Sequence, residues 1–159
     1  MREDVESVNK NPIMSKSTPL YRILSLLLII NFYKIKWGRK KWKGIDLRVI
    51  QIYMWGLSGN DNAESLARTG KKEGFPDIPF AYHVSVMQMV SYCLVNGFLS
   101  IDKASGDAVY DLTPKAYVLL NSLKDDELRK EIDEVLEKIG VITKTDSKQL
   151  RIDWTDVAY

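Results

Sequence analysis

The residue types that most often carry chemistry are few in this sequence. His83 is its single histidine and Cys93 its single cysteine. One cysteine excludes an intrachain disulfide, and one histidine with one cysteine falls short of the ligand set of a usual zinc site. A catalytic triad would depend on His83 alone, at a predicted helix start where a capping or surface role is the ordinary one. Cys93 falls within an apolar helical stripe and is predicted to be a small core residue.

Other catalytic patterns are also missing from the sequence. The segment between Gly38 and Gly44 lacks the Gly-Lys-Ser/Thr ending of a phosphate-binding loop. The acidic run Asp125, Asp126 and Glu127 would suit a metal ion, but stabilisation of the positive end of a helix explains it fully. We therefore predict a protein that is not an enzyme and that needs no cofactor or metal.

The most distinctive functional feature is a basic insert, residues 34–44, which holds no acidic residue. Its two glycines predict a loop or hairpin. Its cations are candidate contacts to nucleic acid or an acidic partner: Lys34, Lys36, Arg39, Lys40, Lys41 and Lys43. A solvated hairpin with its tryptophans packed on the domain is the competing interpretation. The predicted partner interface comprises Trp37, Trp42, Tyr53, Trp55 and Trp154.

The overall charge of +2 hides an asymmetry between the two halves of the chain. Residues 1–80 carry 14 Lys and Arg against 8 Asp and Glu, and residues 81–159 carry 9 against 13. This split favours a basic loop that faces nucleic acid or an acidic surface, and an acidic C-terminal end that faces a protein.

The elements that would hold these residues are mostly helical. The length of 159 residues fits one domain. We predict a flexible arm over 1–17, a domain over 18–140 and a tail over 141–159, in which 150–154 is either a strand or a docking peptide. The apolar run Ile23–Ile30 is about half the length needed to cross a bilayer, so it predicts a buried helix. Helices are predicted over 18–33, 47–57, 63–69, 82–96, 113–123 and 125–139, and strands over 98–102 and 108–112.

This order of elements predicts a mainly α fold with a small β-hairpin, namely a winged helix-turn-helix core with flanking helices. Tyr110 to Leu120 reads like the exit from a wing, with Thr113 as N-cap and Pro114 after it. Such domains bind DNA or proteins about equally often. The presumed recognition helix, 84–96, has no Lys or Arg, and base reading relies mainly on Arg, Lys, Asn and Gln. This favours a protein-binding module.

Three short segments carry a resemblance to a known family: Asn11-Pro12, the apolar stretch Leu20–Ile30 and the Asp-led helix within Ile45–Tyr53. With the winged segment 82–120 and an acidic last helix, they resemble the small middle component of three-component ABC systems. Those systems are bacterial defence operons of the Lamassu type with SMC-like ATPases. The resemblance covers residues 10–140. The insert 34–44 departs from the family pattern, so the resemblance assigns no functional residue there.

The resemblance implies a non-catalytic accessory subunit in antiviral defence. Such a subunit joins an SMC-like ABC ATPase to an effector, often a nuclease, in sensing foreign phage or plasmid DNA. It implies the ATPase and the effector as partners and contact with double-stranded DNA within the complex. The short apolar run and the single free cysteine predict no membrane segment and a cytoplasmic location. The competing hypothesis is a stand-alone winged-helix transcription regulator, which would bind a palindromic site as a homodimer.

Overall fold

A computed structural model describes residues 18–38, 40–69, 77–103, 106–148 and 150–153. The predicted N-terminal arm, 1–17, lies outside these residues. The helices are α1 (Pro19–Trp37), α2 (Leu47–Leu57), α3 (Asn60–Thr69), α4 (Phe80–Val95), α5 (Pro114–Ser122), α6 (Glu127–Ile139) and α7 (Lys144–Ser147). The strands are β1 (Ile45–Asp46), β2 (Asp77–Pro79), β3 (Leu99–Asp102), β4 (Val109–Leu112) and β5 (Arg151–Asp153). The prediction of a mainly helical fold with a small antiparallel sheet is confirmed.

The first helix is the centre of the domain. Apart from Arg22, every residue from Tyr21 to Ile30 is buried, and α1 contacts α2, α4, α5 and α6. Burial on nearly every side explains why this helix is apolar all round rather than striped. No helix in the described ranges is long and apolar enough to cross a membrane.

Polar side chains fix the starts of several helices as the sequence predicted. Thr18, Asp46 and Thr113 each accept a hydrogen bond from the backbone N–H three residues later. Pro19 and Pro114 follow two of these caps at a position where a missing N–H costs nothing. These caps set the direction in which each helix leaves the preceding segment.

Two small sheets complete the fold. In the first, β4 lies between β1 and β3 and is antiparallel to both, with Ile45 opposite Tyr110 and Leu99 opposite Leu112. In the second, β5 pairs in parallel with β2. Part of the tail segment predicted as strand or docking peptide therefore forms a strand, and it pairs with Asp77–Pro79, where no strand was predicted.

Two sequence predictions about helices are wrong. The first helix does not end at Tyr33 but continues to Trp37, because Gly38, with φ +75°, is the first residue that leaves helical geometry. The apolar residues of the helix over 113–123 predict that Tyr117 and Val118 face inward, but these two are 38% and 71% exposed, and the buried residues of α5 are Ala116 and Leu120.

Candidate functional site

The basic insert is divided by the fold into a helical part and a loop. Lys34 and Lys36 belong to the last turn of α1, so the prediction of a loop or hairpin over all of 34–44 is wrong for its first four residues. Both cations form ion pairs with neighbouring elements of the fold. They are therefore in a different environment from the lysines of the loop that follows.

The side chain of Lys34 makes its contacts within the domain. Its Nζ lies 3.4 Å from Oδ1 of Asp111 on β4 and donates a hydrogen bond of 2.8 Å to the hydroxyl of Tyr117. It also lies 5.7 Å from the centre of the Trp42 ring, within the range of a cation–π contact. Burial opposes the charge, but the hydroxyl and the carboxylate outweigh it and raise the pKa of Lys34. Lys34 therefore ties α1 to the sheet and to α5.

Lys36 is paired on the opposite side, with its Nζ 3.0 Å from Oε1 of Glu137 on α6. Both side chains are well exposed, so this pair contributes little to stability. In contrast, Lys40, Lys41 and Lys43 are exposed and form no ion pair with any other described residue. The charge available to a partner is therefore concentrated in residues 40–43. Arg39 lies outside the described residues.

The tryptophans of the insert pack partly on the domain. Trp42 is half-buried against Tyr33, with ring centres 6.1 Å apart, and its buried Nε1 has no hydrogen-bond partner among the described residues. Trp37 contacts the same tyrosine and is 38% exposed. Beside them, Ile35, Trp42 and Tyr117 line an open groove of about 730 Å³. The tryptophans therefore pack on the domain, and a largely apolar groove beside them remains open to solvent.

The other predicted interface residues fall in different places. Tyr53 is fully buried, so its prediction as a partner contact is wrong. Its hydroxyl donates to the carbonyl of Gly140 at 2.7 Å and accepts from the N–H of Ile142 at 2.9 Å. Trp55 is half-buried against the core. Trp154 lies outside the described residues.

A second candidate surface is the outer face of α4. Met87, Tyr92 and Val95 are 43%, 50% and 86% exposed, and exposed Gln88 and Ser91 lie between them on the same face. The opposite face is buried through Val86, Val90 and Cys93. The helix carries no charged residue. Its solvent face is therefore uncharged and carries apolar side chains around two polar ones, which is typical of a protein contact and poor for phosphate binding.

The two residues singled out for chemistry lie at opposite ends of α4. Cys93 is fully buried, and burial raises the pKa of its thiol to about 11, so it is not a reactive thiol. His83 lies in the first turn, half-buried, and burial lowers its pKa. Its Nδ1 is hydrogen-bonded to the side-chain amide of Gln51 on α2.

Sequence reasoning missed Gln51. It occupies an inward position on a helix whose apolar residues dominated the pattern, and it is 1% exposed. It lines a cavity of about 460 Å³ together with His83, the start of α2 and the C-terminal segment. A polar residue at a core-facing helical position was the only signal in the sequence that could have identified it.

Comparison of the chain with family models, with curated proteins and with solved structures gives no match. The function proposed below therefore rests on the residues, on their arrangement and on the resemblance described above.

Proposed function

We propose that this protein is a non-catalytic adaptor subunit that binds another protein through α4. The observation that carries the proposal is the outer face of that helix, on which Met87, Tyr92 and Val95 are exposed without any neighbouring charge on the helix. Methionine and aromatic side chains are enriched in the cores of protein interfaces, and charged ones are depleted there. Three such side chains on one helical face indicate a docking surface.

The order of strands supports a winged-helix interpretation of the domain. The helix α4 leads directly into β3, and β4 returns between β3 and β1. Gly97, with φ +77°, turns the chain out of the helix, and the Thr113 hydroxyl donates to the Gly97 carbonyl. In this interpretation β3 and β4 form the wing and α4 takes the position of the recognition helix.

The partner that we propose is the SMC-like ABC ATPase of a bacterial defence complex, which this subunit joins to an effector in the cytoplasm. This assignment comes from the resemblance to the middle component of Lamassu-type systems. An adaptor that catalyses no reaction needs protein-binding surfaces rather than catalytic residues. The uncharged α4 face and the largely apolar groove beside Trp42, which Asn31 and Lys34 also line, are two such surfaces.

The lysines of the loop support a second contact, with DNA or an acidic surface of the complex. Among the described residues of the insert, Lys40, Lys41 and Lys43 are the cations that form no ion pair. Changing all three to Glu is expected to weaken DNA binding by the complex and to flatten its salt dependence, because each phosphate contact releases counterions. An unchanged salt slope would show that the loop does not contact DNA.

The alternative function is a stand-alone winged-helix transcription regulator. Gln88 and Ser91, which lie on the exposed face of α4, could contact base edges. However, this helix has no cation, and in the sequence Lys103 of the wing lies between Asp102 and Asp107. Sequence-specific binding of the isolated protein to a palindromic site in its own promoter would favour this alternative.

Co-purification with the ATPase encoded by the adjacent gene tests the adaptor proposal. We expect a complex that survives size-exclusion chromatography at micromolar concentration. A protein that elutes separately from that ATPase under these conditions would contradict the proposed partner.

A further inference from the structure

A cavity of about 460 Å³ opens where four segments of the chain meet. The start of α2 and the start of α4 form part of it, the end of the wing turn adds Ala108, and the C-terminal segment adds Leu150 and Ile152. Its volume lies within the usual range for small-molecule sites. Its lining combines apolar walls with a few polar groups, as such sites do.

The polar group deepest in the protein at this site is the amide of Gln51. One end of this amide is hydrogen-bonded to Nδ1 of His83, and the other, Oε1, is buried without a partner among the described residues. A buried acceptor without a donor costs about 1–3 kcal/mol. A ligand that supplied the missing partner would remove this cost.

The Gln51–His83 pair has a definite hydrogen-bonding capacity, whichever way the amide is turned. If the amide N–H donates to Nδ1, the glutamine oxygen remains as an acceptor and Nε2 of the imidazole carries a proton. If the amide is reversed, the glutamine retains a free donor and Nε2 is the acceptor. Either way the pair has at least one unused donor and one unused acceptor. The edge of a nucleobase carries a donor beside an acceptor in the same way.

Two exposed cations that line the cavity have no ion-pair partner within the part of the chain that the structure describes. Arg48 and Lys148 form no ion pair with other described residues, whereas Lys144 is paired with Asp107 at 3.4 Å and the Asp46 carboxylate caps α2. Three cations, Arg48, Lys144 and Lys148, against two carboxylates, Asp46 and Asp107, leave the described lining with a net charge of +1. Guanidinium and ammonium groups are the usual protein contacts of phosphate.

We propose that this cavity binds a nucleoside phosphate, with its base against Gln51 and His83 and its phosphate against Arg48 and Lys148. The arrangement separates a charged end from a buried neutral one, so a ligand needs both a phosphate and a hydrogen-bonding heterocycle to use the whole site. Such a ligand would also bridge α2, α4 and the C-terminal segment, which already contact one another directly.

The test is calorimetric titration of the full-length protein with AMP, GMP, CMP and UMP, each compared with inorganic phosphate and the matching nucleoside. We expect at least one monophosphate to bind more tightly than its two parts. Gln51→Met and the double variant Arg48→Ala with Lys148→Ala should each weaken binding by about tenfold or more, the scale of losing a charge-assisted or buried hydrogen bond. Lys130→Ala, an exposed lysine of α6 away from the cavity, is the matched control.

Several results would overturn the proposal. No heat from any monophosphate at millimolar concentration would do so, and so would inorganic phosphate that binds as tightly as every nucleotide. If Gln51→Met fails to fold, the double variant tests the proposal instead, because the side chains of Arg48 and Lys148 are exposed. Unchanged affinity would show that these two residues do not bind the phosphate. None of these results depends on the ATPase, so they leave the adaptor proposal separately testable.

Discussion

Tyr53→Phe is the substitution whose effect follows most directly from the structure. The ring lies in the core and makes edge contacts with Phe32 and Tyr33, with centres 6.0 and 6.3 Å apart. Phenylalanine retains these contacts and removes only the hydroxyl. The hydroxyl is the one side-chain group that holds both the Gly140 carbonyl and the Ile142 N–H in the described structure.

The magnitude can be worked from these two bonds. Ile142 is 2% exposed, so its N–H loses its partner in a place with little access to water. An unsatisfied buried donor costs about 1–3 kcal/mol. The Gly140 carbonyl is only partly buried and adds less, since water can replace the hydroxyl. We therefore expect Tyr53→Phe to lower the free energy of unfolding by about 2 kcal/mol.

Urea denaturation followed by circular dichroism measures this difference, and Tyr92→Phe is the matched control. Tyr92 is half-exposed on α4, so losing its hydroxyl should change the unfolding free energy by less than about 0.5 kcal/mol. Equal small effects for the two variants would refute the reasoning, because the segment after α6 would then not depend on the Tyr53 hydroxyl.

Three further predictions concern packing and ionisation. Gly56→Ala should destabilise the protein by about 1–3 kcal/mol, because a Cβ there would lie 2.8 Å from Cδ1 of Ile139, whereas Gly59→Ala, with its nearest neighbour at 3.7 Å, should have little effect in the same denaturation assay. Because the chain has one histidine, an NMR titration should give the pKa of His83 directly, and we expect it below 6.5. As the pH falls below about 6.5, the unfolded chain binds this proton before the folded protein does. The contribution of His83 to stability is therefore lost below that pH. A His83 pKa at or above 6.5 would contradict its burial. Cys93 should react slowly with a thiol reagent in the native protein and quickly in urea, and fast labelling of the native protein would show that the thiol is accessible. Its pKa is about 11 in the folded protein against 9.0 in the unfolded chain, so the free energy of unfolding should fall as the pH rises above 9. This fall should be smaller in Cys93→Ala.

Local signals in the sequence were enough to predict most helices. Caps such as Asp46 and Thr113 bind backbone groups only three residues away, so their effect can be read without the fold. The end of α1 was harder to predict, because lysines and a tryptophan before a glycine are compatible with both a helix and a loop. The pairing of Lys34 with Asp111 joins residues distant in sequence and has no local signal.

For a similar reason, the sequence predicts some parts of the candidate sites and not others. The absence of charged residues from α4 can be read in the sequence. Once this segment is predicted to be a helix, that absence already favours a protein contact over a DNA contact. Tyr53 was assigned to an interface because aromatic residues suit interfaces and cores equally, and only the packing around α2 distinguishes the two. The cavity beside Gln51 depends on four segments meeting, which no spacing in the sequence indicates.

The central claim is that α4 docks another protein through its exposed apolar face. The most direct test compares three proteins for affinity to the proposed ATPase partner: the unmodified chain, Val95→Glu and Val118→Glu. Val118→Glu makes the same change at a similarly exposed valine of α5. The account predicts at least about a tenfold loss for Val95→Glu, since a buried unpaired carboxylate is costly at an interface, and little change for Val118→Glu. Equal affinities for all three proteins would contradict it.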